Sequence, residues 1–149
     1  MPVIQAPASS GSVSPVYILD TSAIIRYLDR EAGWPRVHSI LDHCSAGDCR
    51  VLISAVNWGE LATKLYRQRS PDFQAATMAA LLALGIEIVP VSAERAVKSG
   101  QIKGRLSIPY ADAFGVELTY DSPGSILITA DFDVKPAASE VQIEFLPTK

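Results

Sequence analysis

The chain has 149 residues, 48% of them apolar, which suits one domain around one core. A formal net charge of −3 argues against a nucleic-acid partner held by overall charge, since phosphate binding draws on Lys and Arg. No apolar run approaches the roughly 20 residues of a membrane span, and no basic-then-apolar leader opens the chain. A cytoplasmic protein with no membrane partner is therefore expected.

From Met1 to Pro15 the chain is rich in Ser, Pro and Gly and carries no charge and no period. These residues, 1–15, read as a disordered or appended tail, leaving 16–149 as the folded domain. Val16–Leu19 is wholly apolar, as expected of a strand covered on both faces. Asp20, Thr21 and Ser22 follow with side chains suited to capping a helix. Ile24, Ile25 and Leu28 give that helix its apolar stripe. Gly33 and Pro35 interrupt, and a second helix turns Val37, Ile40 and Leu41 inward. Gly47-Asp48 marks a turn.

Val51–Ile53 is the second strand. Ser54 caps a helix to about Gln68, with Leu61 and Leu65 facing the core. Ser70-Pro71 opens a helix that runs through Leu84 and is closed by Gly85. The segment Ile86 to Val91 holds the third strand, and Ser92 caps a helix to about Lys103. Gly100 and Gly104 read as that helix's end. Pro109 starts a helix reaching Tyr120. Ile126–Ile128 is the fourth strand, and Val141 to Leu146 alternates like an edge strand. Strands separated by helices imply an α/β fold with a mostly parallel sheet of four to five strands and helices on both faces. Ligands of such sheets bind beyond the carboxyl ends of the strands.

Four acids fall where this order delivers them to one end of the sheet. Asp20 and Asp131 directly follow apolar strands, while Glu60 and Asp112 lie near the starts of amphipathic helices. Converging carboxylates repel one another, and a hard divalent cation is the usual compensation. With no histidine nearby, the oxygen donors suit Mg²⁺ or Mn²⁺ better than zinc. Such an ion activates water and neutralises charge in phosphodiester hydrolysis. Asp133 reads as a turn residue close to this set.

Other readings are weaker. His38, His43, Cys44 and Cys49 match no common zinc spacing, and a helical period spreads them around a helix. The two cysteines read as free thiols. A phosphatase of the haloacid-dehalogenase type would want an acid at position 22, which is Ser, and a lysine ahead of Asp131. A response-regulator receiver would want paired acids after the first strand. Trp34 and Trp58 read as packing residues ahead of base-stacking ones. Arg26, Lys64, Arg67, Arg69, Lys98, Lys103 and Arg105 could form a positive rim; Arg26 and Arg67 could grip phosphate or receive a partner's carboxylate.

The segments V-Y-I-L-D-T-S-A-I-I, S-A-V-N-W-G-E-L, I-P-Y-A-D-A-F-G-V-E-L and I-L-I-T-A-D-F-D, in this order, resemble those of PIN-domain ribonucleases, and among them the VapC-type toxins of bacterial toxin–antitoxin pairs. The resemblance covers about Val16 to the C-terminus. It implies a compact three-layer α/β/α sandwich. It also implies a Mg²⁺- or Mn²⁺-dependent endoribonuclease in which Asp20, Glu60, Asp112 and Asp131 are the catalytic, metal-holding acids. Thr21 and Thr129 would be hydroxyl residues orienting a carboxylate or a water, with Asp133 beside them. The implied partners are an RNA substrate (tRNA, rRNA or mRNA), a cognate antitoxin and a second copy in a homodimer. Tyr27 and Leu28 are candidate antitoxin contacts. The alternative is a degenerate PIN module that binds RNA or protein without cutting. The N-terminal extension departs from the family pattern.

Overall fold

The computed structural model describes residues 14–149, so residues 1–13 of the expected tail lie outside it. Twelve elements follow in order. They are β1 Val16–Leu19, α1 Thr21–Leu28, α2 Trp34–Ser45, β2 Arg50–Ser54, α3 Ala55–Gln68, α4 Pro71–Ala83, β3 Glu87–Val89, α5 Ala93–Leu106, α6 Tyr110–Asp121, β4 Ile126–Thr129, a 3-10 helix Phe132–Ser139, and β5 Ile143–Phe145. The sheet is parallel throughout, in the order β3-β2-β1-β4-β5.

Each central strand alternates between two cores, which is why its sequence is apolar at every position. Leu19, Ile53 and Ile128 pack with α1 to α4 on one face. Ile18, Leu52 and Leu127 pack with α5, α6 and the 3-10 helix on the other. The result is the three-layer α/β/α sandwich. Leu61 and Leu65 of α3 and Val37, Ile40 and Leu41 of α2 are buried in the first core, as their spacing requires.

The helix starts are set by side-chain caps. Asp20, Ser54, Ser70 and Ser92 each accept a hydrogen bond from a backbone N–H in the first turn. Gly33 has φ +91°, and a Cβ there would stand 2.9 Å from the Cβ of Leu146, so this turn admits only glycine without rearrangement. It lets α2 begin against the carboxyl end of β5. A Cβ on Gly115 would stand 3.2 Å from Leu127 Cδ1, so α6 lies close on the sheet.

Two elements differ from the sequence reading. Helix α5 continues past Gly104 to Leu106. Ile102 and Leu106, four residues apart, both pack into the second core, and that burial outweighs the poor helix propensity of two glycines. Ser107, with φ +56°, then ends it. After Asp131 the chain forms a 3-10 helix rather than a plain turn, because Val134 and Ala137, one 3-10 turn apart, are both buried.

Candidate active site

The strand order reverses at β1: β2 and β3 lie to one side, β4 and β5 to the other. The crevice between the carboxyl ends of β1 and β4 is the topological switch point, where open parallel sheets bind ligands. Asp20 follows β1 directly and Asp131 follows β4 by one residue. The sheet register pairs Leu19 with Ile128, which sets Asp20 opposite Thr129.

Asp20 is buried and heavily satisfied. Its Oδ1 accepts from the Ser22 hydroxyl at 2.6 Å and from the Ala23 N–H at 3.0 Å. Its Oδ2 accepts from Thr129 Oγ1 at 2.5 Å. Burial pushes its carboxyl above the ordinary range, and the Ser22, Thr129 and Ala23 hydrogen bonds oppose that shift. Thr129 Oγ1 also accepts from the Asp131 N–H at 3.0 Å, so one hydroxyl joins the first acid to the last. The side chain of Asp131 caps the 3-10 helix by accepting from the Asp133 N–H. The Asp133 side chain itself is exposed.

Glu60 enters from α3. Its Oε1 lies 2.9 Å from Thr21 Oγ1 and 3.1 Å from Asn57 Nδ2. Asn57 is 1% exposed, and its Nδ2 also reaches the Ala111 carbonyl of α6 at 3.2 Å. It thus ties the helix that carries Glu60 to the helix that carries Asp112. Sequence reading passed over Asn57 and treated Ser22 only as a cap residue. The available signal for Asn57 was its spacing, three residues before Glu60 on one helix face. For Ser22 it was a hydroxyl two residues after an acid.

Asp112, in the first turn of α6, completes the set. Its pKa is pushed up to about 8 by burial first, then by the charge of Asp131, the charge of Asp20, a hydrogen bond with the Asp131 carboxyl, and the charge of Glu60. The four acids therefore share one field. Asp112 Oδ2 is buried with no hydrogen-bond partner. An orphaned carboxylate oxygen among acids, in an all-oxygen donor set, fits a hard divalent cation in kind. Among the described residues, no three His, Cys, Asp or Glu side chains are arranged to enclose an ion as they stand. Asp20 and Glu60 are instead turned to their hydroxyl and amide donors.

The other candidate residues have structural roles. Arg26 donates to the carbonyls of Ala32 and Pro147, tying α1 to the C-terminal segment. His38 stacks with Tyr27 and lies 3.3 Å from Asp42, His43 bonds the Ser39 carbonyl, and Cys49 donates to the Ile40 carbonyl. Cys44 and Cys49 are free thiols. Trp34 lies beneath the Arg30 guanidinium at 4.2 Å, and Trp58 packs against the first core. No helix of the described residues is long and apolar enough to cross a membrane.

The family model of the PIN domain matches residues 17–139, which spans all four acids. The chain belongs to the PIN domain family. Solved structures share the fold of this PIN domain at low identity. VapBC2 from Rickettsia felis, bound to a DNA fragment from its promoter, aligns with a TM-score of 0.67 and 15% identity, covering 89% of this chain and 99% of that one. VapC20 from Mycobacterium tuberculosis, a toxin that cleaves the sarcin-ricin loop, aligns at 0.64 and 18%, covering 88% and 99%. FitAcB from Neisseria gonorrhoeae aligns at 0.62 and 20%, covering 85% and 95%. No curated protein matches the sequence.

Proposed function

We propose that this PIN domain is a Mg²⁺- or Mn²⁺-dependent endoribonuclease, acting as the toxin of a toxin–antitoxin pair. The observation that carries the reading is the electrostatic unit of Asp20, Glu60, Asp112 and Asp131 at the switch point, with Asp112 raised to about 8 by burial and then by the other three. These four would hold the ion. When bound, the ion would polarise a phosphodiester and make water nucleophilic near neutral pH. The chain's own residues set the stage. Ser22, Thr129 and the Ala23 N–H fix the Asp20 carboxyl, and Thr21 and Asn57 fix Glu60. Burial and the neighbouring acids favour the protonated form of Asp112 in the metal-free site, so binding a cation there would release a proton.

RNA as substrate is supported by the Mycobacterium tuberculosis neighbour, a toxin that cleaves the sarcin-ricin loop. An antitoxin partner is supported by the Rickettsia felis and Klebsiella pneumoniae neighbours, which are toxin–antitoxin complexes. An apolar groove of about 350 Å³ suits such a partner. It runs between α1 and α4, lined by Tyr27, Leu28, Phe73, Ala76, Ala80 and Leu84. Helix α4 is apolar on nearly every side yet buries only Met78 and Leu81, which leaves a surface for the apolar face of an antitoxin helix. A homodimer remains an expectation of the family resemblance. The degenerate alternative would retain a costly cluster of acids with nothing to hold.

The deciding experiment is cleavage of RNA by the purified chain with Mg²⁺, Mn²⁺ or excess EDTA. Cleavage that needs metal and leaves 5′-phosphate and 3′-hydroxyl ends is expected. Cleavage persisting in EDTA, or 2′,3′-cyclic ends, overturns the mechanism.

A further inference from the structure

Resting on the nuclease reading, we propose that Lys64 and Arg67 grip the phosphates of an RNA strand that leaves the acid site along α3. An acidic protein that handles RNA must offset phosphate repulsion locally, with cations that are not already engaged. Most of its cations are engaged. Arg36, Arg50, Arg69, Arg95, Lys98 and Arg105 pair with carboxylates. Arg26 and Lys103 are held by carbonyls, and Arg30 lies over Trp34. Among the described residues, Lys64, Arg67, Lys135 and the terminal Lys149 have no such partner.

Two of these share a stripe with a site acid. Lys64 and Arg67 stand four and seven residues after Glu60, so the three occupy one face of α3, about 10 Å from first to last. The core face of the same helix is taken by Leu61 and Leu65. Lys64 is at the favourable spacing for pairing back onto Glu60, yet no such ion pair forms, because Glu60 is turned to Thr21 and Asn57. Both cations are exposed. An ammonium and a guanidinium fork, unpaired with any carboxylate and continuing along one helix face from a phosphate-cutting site, match the needs of successive phosphates.

The test is a salt series. Fluorescence anisotropy of a labelled single-stranded oligoribonucleotide is followed in EDTA, and kcat/KM for its cleavage is followed at fixed Mg²⁺. Each of Lys64→Gln and Arg67→Gln should lower the log–log salt slope by about 0.7, and the pair by about 1.4, with KM raised and kcat and melting temperature unchanged. Lys64→Arg should restore the slope. Lys98→Gln, on α5, should leave it alone. An unchanged slope in the double variant overturns the proposal, as does a slope moved by Lys135→Gln instead. A double variant that weakens only antitoxin binding also overturns it. Absence of metal-dependent cleavage by the unaltered chain would refute the nuclease reading itself, while the anisotropy arm reads phosphate binding separately.

Discussion

Thr129 and Asp20 are 109 residues apart in sequence and joined by a 2.5 Å hydrogen bond across the β1–β4 register. The hydroxyl serves one oxygen of a buried acid and accepts from the backbone of another. Thr129→Val keeps the shape and β propensity but leaves Asp20 Oδ2 without its donor. A loss of about 1–3 kcal/mol in denaturant unfolding is expected. Metal affinity or activity should fall about 10–100-fold. Wild-type unfolding and wild-type Mn²⁺ affinity in this variant would remove Thr129 from the site.

The acids themselves should separate by role. Asp20→Asn or Asp112→Asn should slow RNA cleavage at least about 100-fold, as removal of a transition-state charge partner does. Asp133→Asn should do far less, because only its backbone N–H touches the set. Rates measured alongside melting temperature distinguish catalysis from folding. Collapse of the fold in Asp112→Asn would make that acid structural.

Stability of the metal-free chain should fall as pH rises. Asp112 has a folded pKa of about 8 against an ordinary 3.8, so between those values the folded state holds a proton that the unfolded state has released. With fewer protons on the unfolded state, the stability slope against pH is negative across that window. Added Mg²⁺ should raise the melting temperature more at pH 8 than at pH 6, since metal displaces the proton. Thermal melts of the chain and of Asp112→Asn check both statements. A variant that keeps the full slope would assign it elsewhere.

Asn57→Ala removes the donor shared by Glu60 and the Ala111 carbonyl. A cost of about 1–3 kcal/mol is expected, together with weaker Mn²⁺ binding, because two part-buried acceptors lose a donor at once and Glu60 keeps only Thr21. An unfolding midpoint equal to the parent's would show that water serves both groups equally well.

Ala80→Glu places a charge in the apolar groove between α1 and α4, away from the acids. Inhibition by the cognate antitoxin should weaken at least about tenfold, since burying an unpaired carboxylate opposes docking. RNA cleavage by the free chain should be unaltered. If inhibition stays intact, the antitoxin seats elsewhere.

Asp20 at the end of an unbroken apolar strand, the Ser caps of α3, α4 and α5, and the inward stripes of α1 to α3 were legible because they are local: period, caps and breakers act within a few residues. The parallel α/β class followed from the order of those elements. Residues whose role is set by long-range contacts were not legible. Asn57 is polar in a first turn, and only the approach of α6 makes it a bridge. The 3-10 helix after Asp131 forms because Val134 and Ala137 find the second core. Two members of the expected basic rim, Arg69 and Arg105, are neutralised by carboxylates distant in sequence, Asp29 and Glu140. Sequence by itself determined which acids exist and which strand or helix carries each one. The tertiary structure decided that β1 and β4 lie side by side, and so that Asp20 faces Thr129 and shares a field with Asp112 and Asp131. Strand neighbours are chosen by how two apolar faces can be buried at once, which is a property of the whole sheet and of no single segment.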